Sequence, residues 1–152
     1  MKLDVIDKKL LEHLQRDCKL TNKELSGLLN LSITAIYERI KKLERVGVIA
    51  QYVGLLDKSK VGRDFIVYCH IKLEKHREEY LMKFEQSVME LEEVVECFHV
   101  SGDYDYIIKV LVADMASFRE FMVTKLTSLA HIGSTQSSFV ISEVKHTTAV
   151  SI

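Results

Sequence analysis

Apolar residues in the first third of the chain recur three and four positions apart, which is the spacing of one face of an α-helix. The first series predicts a helix of about three turns from Leu3, Ile6, Leu10, Leu11 and Leu14. A second, short helix is expected after Thr21, which has the spacing of a capping box with Glu24. Its predicted buried side carries three leucines, at Leu25, Leu28 and Leu29. The tight turn Asn30-Leu31 then leads to a third helix.

The third predicted helix lies within Leu31–Ile49 and has the clearest boundaries. Ser32 can accept a hydrogen bond from the first-turn amides, and Gly47 can adopt the left-handed conformation that ends many helices. At about 100° per residue, a packed stripe is expected from Ile33, Ile36, Ile40 and Leu43. The opposite, outward stripe consists of Thr34, Glu38, Lys41 and Arg45. Three short helices in this order predict a helix-turn-helix domain.

After the third helix the pattern changes to short β-branched runs. Val48–Val53 predicts a strand or wing, so the N-terminal part is expected to be a winged helix-turn-helix. The rest predicts the order βαββαβ, from Phe65–Leu73, Glu78–Met89, Val94–Ser101, Tyr104–Val112, Met115–Leu129 and Thr135–Val144. This order is the split-βαβ, ferredoxin-like arrangement. The expected fold class is therefore α+β, with a boundary near residue 60 that divides residues 1–60 from residues 61–152.

The two predicted domains differ in the sign of their charge. Residues 1–60 hold 12 Lys+Arg and 8 Asp+Glu, a net charge of +4. Residues 61–152 hold 9 and 14, a net charge of −5, so the whole chain is close to neutral at −1. Because the phosphate backbone attracts basic surfaces and repels acidic ones, any contact with nucleic acid is expected from the N-terminal domain alone.

Several runs of the chain resemble the Lrp/AsnC (feast/famine) family of transcriptional regulators: Leu3-Asp4, ELSGLLNLS, ERIKKLE and GVI. The βαββαβ order is similar to the C-terminal domain of that family, a RAM-type effector-binding and oligomerisation domain. The resemblance covers nearly the whole chain and implies a regulator that binds double-stranded DNA. One departure is Ile33, where many members carry proline after the capping serine. Since proline there only pre-sets the first helical turn, the expected class does not change.

The outward stripe and the resemblance together predict a recognition helix in the major groove. Three residues are candidates for contact with base edges: Thr34, Tyr37 and Glu38. Threonine can contact a thymine methyl group, and glutamate can accept a hydrogen bond from the cytosine amino group. Three basic residues are candidates for phosphate contacts: Lys41, Lys42 and Arg45.

Ser32 and Arg39 complete the predicted DNA-binding set. Ser32 belongs to it as the residue that caps the recognition helix. Arg39 points closer to the packed stripe, so an ion pair with a neighbouring acid is the alternative interpretation of this residue. For the outward stripe as a whole, the alternative is the solvated face of a structural helix.

A second candidate site is the turn Gly102, Asp103, Tyr104 and Asp105 between two predicted strands. It is similar to the turn near which small effectors, often amino acids, bind in the family where dimers meet. A carboxylate at Asp103 or Asp105 could pair with an α-ammonium group, and backbone amides near Gly102 could hold an α-carboxylate. An ordinary hairpin turn is the alternative, because glycine accepts positive φ.

Thr135 and Ser137 on the last predicted strand are further candidates for effector binding, because they match a threonine-rich segment of the family. One residue separates them, so both hydroxyls are expected on the same face of the sheet. Ordinary polarity of an exposed strand face is the alternative interpretation.

Self-association is expected from strands with apolar faces, Phe65–Cys69 and Phe139–Ile141. A two-fold homodimer would place two recognition helices ~34 Å apart, in successive major grooves. The resemblance also implies higher assemblies, such as an octamer of four dimers. No cofactor is expected beyond an amino-acid effector. Neither an export signal nor a transmembrane run is recognisable, so the cytoplasm is the expected location and no membrane partner is expected.

Two other functions fit these patterns less well. An enzyme is not expected, because the chain has neither a phosphate loop nor the glycine pattern of a dinucleotide site. Cys97-Phe98-His99 is the closest approach to a metal or nucleophile site, but it supplies only two ligands. The remaining alternative is a ligand-sensing interaction module whose N-terminal helices bind a protein instead of DNA.

Overall fold

The computed structural model describes residues 2–152, which divide into two compact units. The first unit contains the chain up to Leu55 together with Val144–Ile152, and the second contains Leu56–Glu143. The expected division into residues 1–60 and 61–152 therefore differs from the structure at both ends. The last nine residues belong to the first unit, where Val150 exchanges two backbone hydrogen bonds with the Gln15 side chain. No local pattern could reveal this long-range contact.

Three helices form the first unit: α1 (Val5–Arg16), α2 (Asn22–Leu29) and α3 (Ile33–Arg45). The predicted capping box of α2 is present, because the Glu24 amide donates to the Thr21 hydroxyl and the Thr21 amide donates to the Glu24 carboxylate. α2 ends at Asn30, which adopts the left-handed conformation with φ of 52°. This turn redirects the chain into α3 within two residues, as a helix-turn-helix requires.

The core of the first unit joins all three helices. Leu10 of α1, Leu25 of α2 and both Ile36 and Leu43 of α3 have no exposed surface. Side chains packed around them include Leu3, Leu14, Leu29, Ile40 and Ile49. The helical spacing of the leucines and isoleucines thus predicted the packed side correctly. Two predicted core residues are exceptions: Leu28 of α2 is 53% exposed, and Ile33, at the first position of α3, is 50% exposed.

The strand expected at Val48–Val53 is not formed, and this part of the prediction is wrong. Residues 50–56 contain no regular secondary structure, and Tyr52 and Val53 are about half exposed, at 46% and 54%. A strand needs a neighbour that satisfies its backbone N–H and C=O groups. No segment among residues 2–152 pairs with this one, so its β-branched side chains alone do not produce a wing.

The second unit is a four-stranded antiparallel sheet with two helices. Its elements are β1 (Phe65–Leu73), α4 (Glu78–Met89), β2 (Val94–His99), β3 (Tyr106–Val112), α5 (Met115–Thr124) and β4 (Ile132–Phe139). The strand order is β2-β3-β1-β4, and each neighbouring pair is antiparallel. This order confirms the ferredoxin-like arrangement and the α+β fold class.

One face of the sheet forms the core of the second unit. In the β1–β3 register, Cys69 lies opposite Ile108 and Ile71 lies opposite Tyr106, and all four side chains are buried. The helices close this face with four buried side chains: Phe84, Val88, Phe118 and Phe121. Side chains on the opposite face alternate with the core residues, as the two-residue period of a strand requires.

Four predicted elements in the second unit have shifted boundaries. β4 begins at Ile132, which pairs with Leu73, and ends at Phe139, which pairs with Val67. β2 ends two residues early, at His99, and β3 begins two residues late, at Tyr106. α5 ends at Thr124, and a short 3₁₀ turn follows at Leu126–Ser128, where serine and threonine hydroxyls bond to carbonyl groups of the preceding turn.

Because Leu43 connects α3 to the rest of the first unit, Leu43→Ala is expected to lower the free energy of unfolding by about 2–5 kcal/mol. The matched control is Leu28→Ala, since Leu28 is 53% exposed and should change stability by less than about 0.5 kcal/mol. Urea unfolding followed by circular dichroism measures both values. Equal effects of the two substitutions would contradict the assignment of Leu43 to the core.

Candidate functional sites

The recognition helix α3 begins and ends as its sequence predicts. The Ser32 hydroxyl accepts a hydrogen bond from the Ala35 amide at 3.1 Å, which caps the first turn. At the other end, the Val48 amide donates to the Leu43 carbonyl, and Gly47 has a φ of +74°. Ser32 is thus a structural cap, and its hydroxyl hydrogen remains available to a phosphate oxygen.

The outward face of α3 carries the side chains that were predicted to contact base edges. Thr34, Tyr37 and Glu38 are all exposed, and Tyr37 is 46% accessible. They occupy the N-terminal half of the helix, the half that contacts base edges in helix-turn-helix proteins. Their side chains offer donors, an acceptor and an apolar ring, so this surface can distinguish base pairs chemically.

Arg39 is bound to the carboxylates of α1 and does not face outward. Its Nη1 lies 2.7 Å from Asp4 Oδ2 and 2.5 Å from Asp7 Oδ1, and the Asp7 side chain is only 2% exposed. Asp4 and Asp7 also form the capping box of α1. The bond from the Asp7 amide and the nearby Arg39 guanidinium lower the pKa of Asp4. The ion pair that was the alternative interpretation of Arg39 is thus present, and contact between Arg39 and DNA stays a prediction.

The three basic residues near the end of α3 differ in their surroundings. Lys41 Nζ lies 2.8 Å from Glu44 Oε2 and 5.9 Å from the centre of the Tyr37 ring, and its pKa is raised, mainly by the Glu44 carboxylate. Lys42 and Arg45 are exposed, and neither has an ion-pair partner among residues 2–152. Lys42 and Arg45 are therefore the better candidates for phosphate contacts, because neither would have to leave an internal partner.

Glu44 has a second partner in the irregular segment that follows α3. The Tyr52 hydroxyl donates to Glu44 Oε1 at 3.1 Å. Burial and the adjacent Glu44 carboxylate raise the pKa of Tyr52 to about 12. This bond anchors the segment to α3 although no strand forms there, and it keeps the Glu44 carboxylate beside Lys41.

The second candidate site, the effector turn (Gly102–Asp105), connects β2 and β3. The Val100 amide donates to the Asp105 carbonyl at 2.9 Å, which closes the turn, and Gly102 has a φ of +124°, a conformation that favours glycine. An open depression of about 570 Å³ lies beside the turn. Its lining includes Asp103 and Tyr104 of the turn together with His70 and His99.

The two aspartates of the effector turn have different environments. Asp103 is exposed and lines the depression, so its carboxylate is available to a ligand. Asp105 is buried, and its Oδ2 accepts a hydrogen bond from the Leu73 amide at 2.7 Å. His76 Nδ1 lies 3.2 Å from the other oxygen of Asp105. Asp105 therefore fixes the turn to the end of β1, whereas Asp103 is the better candidate for pairing with an ammonium group.

Thr135 and Ser137 lie on the core face of the sheet, away from Tyr104. Thr135 pairs with the buried Ile71, and the Ser137 hydroxyl lies 3.8 Å from the buried Cys69 thiol. The prediction that they share a face was correct, but the structure does not bring them to the effector turn. Gln136, between them, takes the opposite face because side chains alternate along a strand.

His70, His99 and Gln136 lie next to the effector turn or its depression, and the sequence did not reveal them as candidates. The Tyr104 hydroxyl donates to Gln136 Oε1, and the Tyr104 and His70 rings are 5.2 Å apart. Gln136 and His70 are cross-strand partners in the β1–β4 register. Alternation showed that Gln136 and Thr135 had to point to opposite faces, but only the register reveals which face meets the turn.

Two negative findings apply to residues 2–152. No group of three or more histidine, cysteine, aspartate or glutamate side chains is arranged to hold a metal ion. Within this part of the chain, no helix has both the length and the apolar character needed to cross a bilayer, and the longest has 13 residues.

The first unit has a capped recognition helix with basic side chains, and the second has a turn beside an open depression. These features define a class of protein in which a DNA-binding domain is joined to a ligand-binding domain. Residues 3–44 match the AsnC-type helix-turn-helix domain, and residues 66–150 match the Lrp/AsnC ligand binding domain. The chain belongs to the Lrp/AsnC family.

Named relatives and solved structures agree with this assignment. The chain is 37% identical over 150 residues to the DNA-binding transcriptional activator DecR of Escherichia coli, with 99% of each chain covered. It is 40% identical to the leucine-responsive regulatory protein of Haemophilus influenzae, covering 95% of this chain and 87% of that protein. A transcriptional regulator from Neisseria meningitidis, solved with L-methionine, has a TM-score of 0.94 at 34% identity, covering 98% and 96%. These relatives are regulators, so the alternative function, an interaction module that does not bind DNA, is not favoured for this chain.

The structural role of Arg39 can be separated from DNA contact by substitution. Arg39→Met leaves the buried Asp7 carboxylate without its charged partner, and we expect the free energy of unfolding to fall by about 1–3 kcal/mol. Asp7→Asn in the same background should recover part of this loss, because it removes the unpaired charge.

Arg45→Met is the matched control, because Arg45 is exposed and should change stability by less than about 0.5 kcal/mol. Urea unfolding of the three variants gives the comparison. Wild-type stability of Arg39→Met together with lost DNA binding would instead assign Arg39 to the DNA-contacting set.

Proposed function

We propose that this protein is a sequence-specific transcriptional regulator that places α3 in the major groove and responds to an amino acid. The observation that carries the proposal is the division of α3 into two sides. Ile36 and Leu43 are fully buried, whereas Thr34, Tyr37 and Glu38 are exposed beside the unpaired charges of Lys42 and Arg45. Membership of a family whose named relatives regulate transcription supports the same function.

In this proposal the residues of α3 have separate roles. Thr34, Tyr37 and Glu38 read base edges, and Lys42 and Arg45 hold the phosphate backbone. Lys41 contributes less to affinity, because DNA has to compete with Glu44 for its ammonium group. Ser32 orients the helix and can donate to a phosphate oxygen.

We further propose a symmetric homodimer as the DNA-binding form. One α3 helix can read only a few base pairs, and two-fold symmetry would place a second helix in the next major groove, ~34 Å away. The exposed Tyr52, Val53, Leu55 and Leu56 would then be covered by a second copy, which supplies the pairing partner that this segment lacks among residues 2–152. Assembly of dimers into an octamer is the higher state that we expect.

The proposed effector is an amino acid bound at the effector turn. Asp103 can pair with the α-ammonium group, and the backbone amides near Gly102 can bind the α-carboxylate. Tyr104, His70 and Gln136 lie next to this position and would contact the effector side chain. The similarity to a regulator solved with L-methionine makes that amino acid the first candidate. We expect the protein to act in the cytoplasm, where a bacterial regulator meets its DNA.

DNA binding is tested by selecting bound fragments from a random duplex library, at two salt concentrations, with and without the twenty amino acids. We expect enrichment of a pseudo-palindrome. On the selected duplex, Lys42→Glu/Arg45→Glu should weaken binding at least tenfold and reduce the slope of log affinity against log salt by about 0.9 for each lost phosphate contact.

Lys60→Glu/Arg63→Glu is the matched control, because it makes the same charge change at the same spacing outside α3. It should alter the slope much less than the α3 variant does. If both double variants weaken binding equally, the charges of α3 have no special role. If no duplex is enriched at either salt concentration, the proposed function is wrong.

The effector proposal is tested by calorimetric titration with the twenty amino acids, beginning with L-methionine. Asp103→Ala should weaken binding about tenfold or more, because it removes a charge-assisted hydrogen bond to the ammonium group. Asp64→Ala, an exposed aspartate outside the effector turn, should leave the affinity unchanged. Equal affinity of wild type and Asp103→Ala would remove Asp103 from the site.

A further inference from the structure

The first unit contains an apolar groove beside α1, separate from the surface of α3 that faces outward. This α1 groove has a volume of about 660 Å³. One wall comes from Leu3, Leu11 and Leu14, and another comes from the segment Val48–Leu55 that follows α3. The groove has no role in the contacts proposed for DNA or for the effector.

The end of the C-terminal segment (residues 144–152) forms a further wall of the α1 groove. Thr148, Val150 and Ile152 line the groove, whereas Ala149 and Ser151 between them do not. This alternation is the two-residue period of an extended chain that presents every second side chain to a surface. The segment therefore has a defined register against α1.

Gln15 of α1 sets this register through the backbone of the segment. Its Nε2 donates to the Val150 carbonyl at 3.0 Å, and its Oε1 accepts a hydrogen bond from the Val150 amide at 2.7 Å. The side-chain amide thus bonds to both backbone groups of one residue, as a neighbouring strand would. Such a pair recognises an extended backbone whatever the side chain at that position.

The contact between the C-terminal segment and the α1 groove is shallow, so we expect it to be weak. Val150 remains 66% exposed and Ile152 remains 37% exposed. Little apolar surface is removed from water, and the segment loses conformational entropy when it is ordered. The bound and released states of the segment should therefore be close in free energy, and a modest perturbation can shift the balance between them.

We propose that residues 144–152 are a releasable strap that binds the α1 groove and steadies the DNA-binding unit. The second unit ends at Glu143, so the segment gives the two units a second covalent connection besides the one at Leu55. With the strap bound, α1 has less freedom to lose when α3 enters the major groove, so DNA binding costs less entropy. This effect on DNA rests on the proposed function, whereas binding of the strap to the groove does not.

The strap also continues from the strand that reaches the effector turn. β4 carries Gln136, which accepts the hydrogen bond of Tyr104, and ends at Phe139, so that four residues separate it from the point where the first unit resumes. A ligand that displaces Tyr104 from Gln136 would act on the strand from which the strap extends. The strap is thus a physical route by which the effector turn can influence α1.

Binding of the strap is tested on the full chain by millisecond hydrogen exchange, with fragmentation that resolves the Val150 amide. In the wild type this amide should exchange more slowly than the Ser151 amide, after correction for intrinsic rates. Gln15→Ala should accelerate exchange at Val150 about fivefold, because it removes the acceptor. Gln51→Ala is the matched control, a glutamine of the same groove that makes no hydrogen bond to the strap.

A second pair of variants tests the alternation without altering Gln15. Ile152→Asp should release the strap and accelerate exchange at Val150, whereas Ser151→Asp, which adds the same charge outside the groove, should not. Two results would show that the strap does not bind the groove. One is a wild-type Val150 amide that exchanges as fast as the Ser151 amide, and the other is an equal rate of exchange at Val150 in Gln15→Ala and Gln51→Ala.

The effect on DNA is measured with the duplex selected above. Gln15→Ala should weaken binding about threefold with an unchanged salt slope, because no phosphate contact is lost. If Gln15→Ala accelerates exchange at Val150 but binds DNA with wild-type affinity, the strap does not steady the DNA-binding unit. The proposed function would be unaffected by that result. If the wild type binds no duplex, the proposed function and the steadying role both fail, while the exchange at Val150 still decides whether the strap binds.

Discussion

The buried carboxylate of Asp7 is the constraint on which the orientation of the recognition helix depends. A carboxylate that is 2% exposed is costly to keep charged, and the guanidinium of Arg39 on α3, 2.5 Å away, compensates for that cost. The same carboxylate accepts a hydrogen bond from the Asp4 amide and so completes the first turn of α1. One side chain therefore starts α1 and holds α3 against it, and the outward face of α3 follows from that attachment.

A buried aspartate has a similar position in the second unit. Asp105 binds the Leu73 amide at the end of β1 and contacts His76, so the effector turn cannot move independently of the sheet. Asp103, two residues earlier, remains in solvent because the turn projects it away from the core. In both units, a carboxylate removed from water orders the backbone beside an exposed functional surface, and adjacent residues are left free to bind.

Local signals in the sequence predicted much of this architecture. Capping residues and apolar spacing located α2 and α3, and alternation located β1, since these features depend on neighbouring residues alone. The predictions failed where a distant partner decides the outcome. Val48–Val53 has the composition of a strand but no strand to pair with in the described part of the chain, and Thr135 and Ser137 face the core because of their register with β1. Arg39 is paired with acids more than thirty residues earlier, and only the folded chain reveals them.

The two sides of α3 separate the residues that hold the fold from those that face outward. Ile36, Arg39 and Leu43 are fixed by packing or charge, whereas Thr34 and Glu38 make no contact on which the three-helix core relies. Substitutions at the outward positions are therefore nearly neutral for stability. Gene duplicates of such a protein could acquire new operator preferences one side chain at a time without passing through unfolded intermediates. The outward side chains of α3 can therefore change while its packed side and the Arg39 ion pairs stay the same.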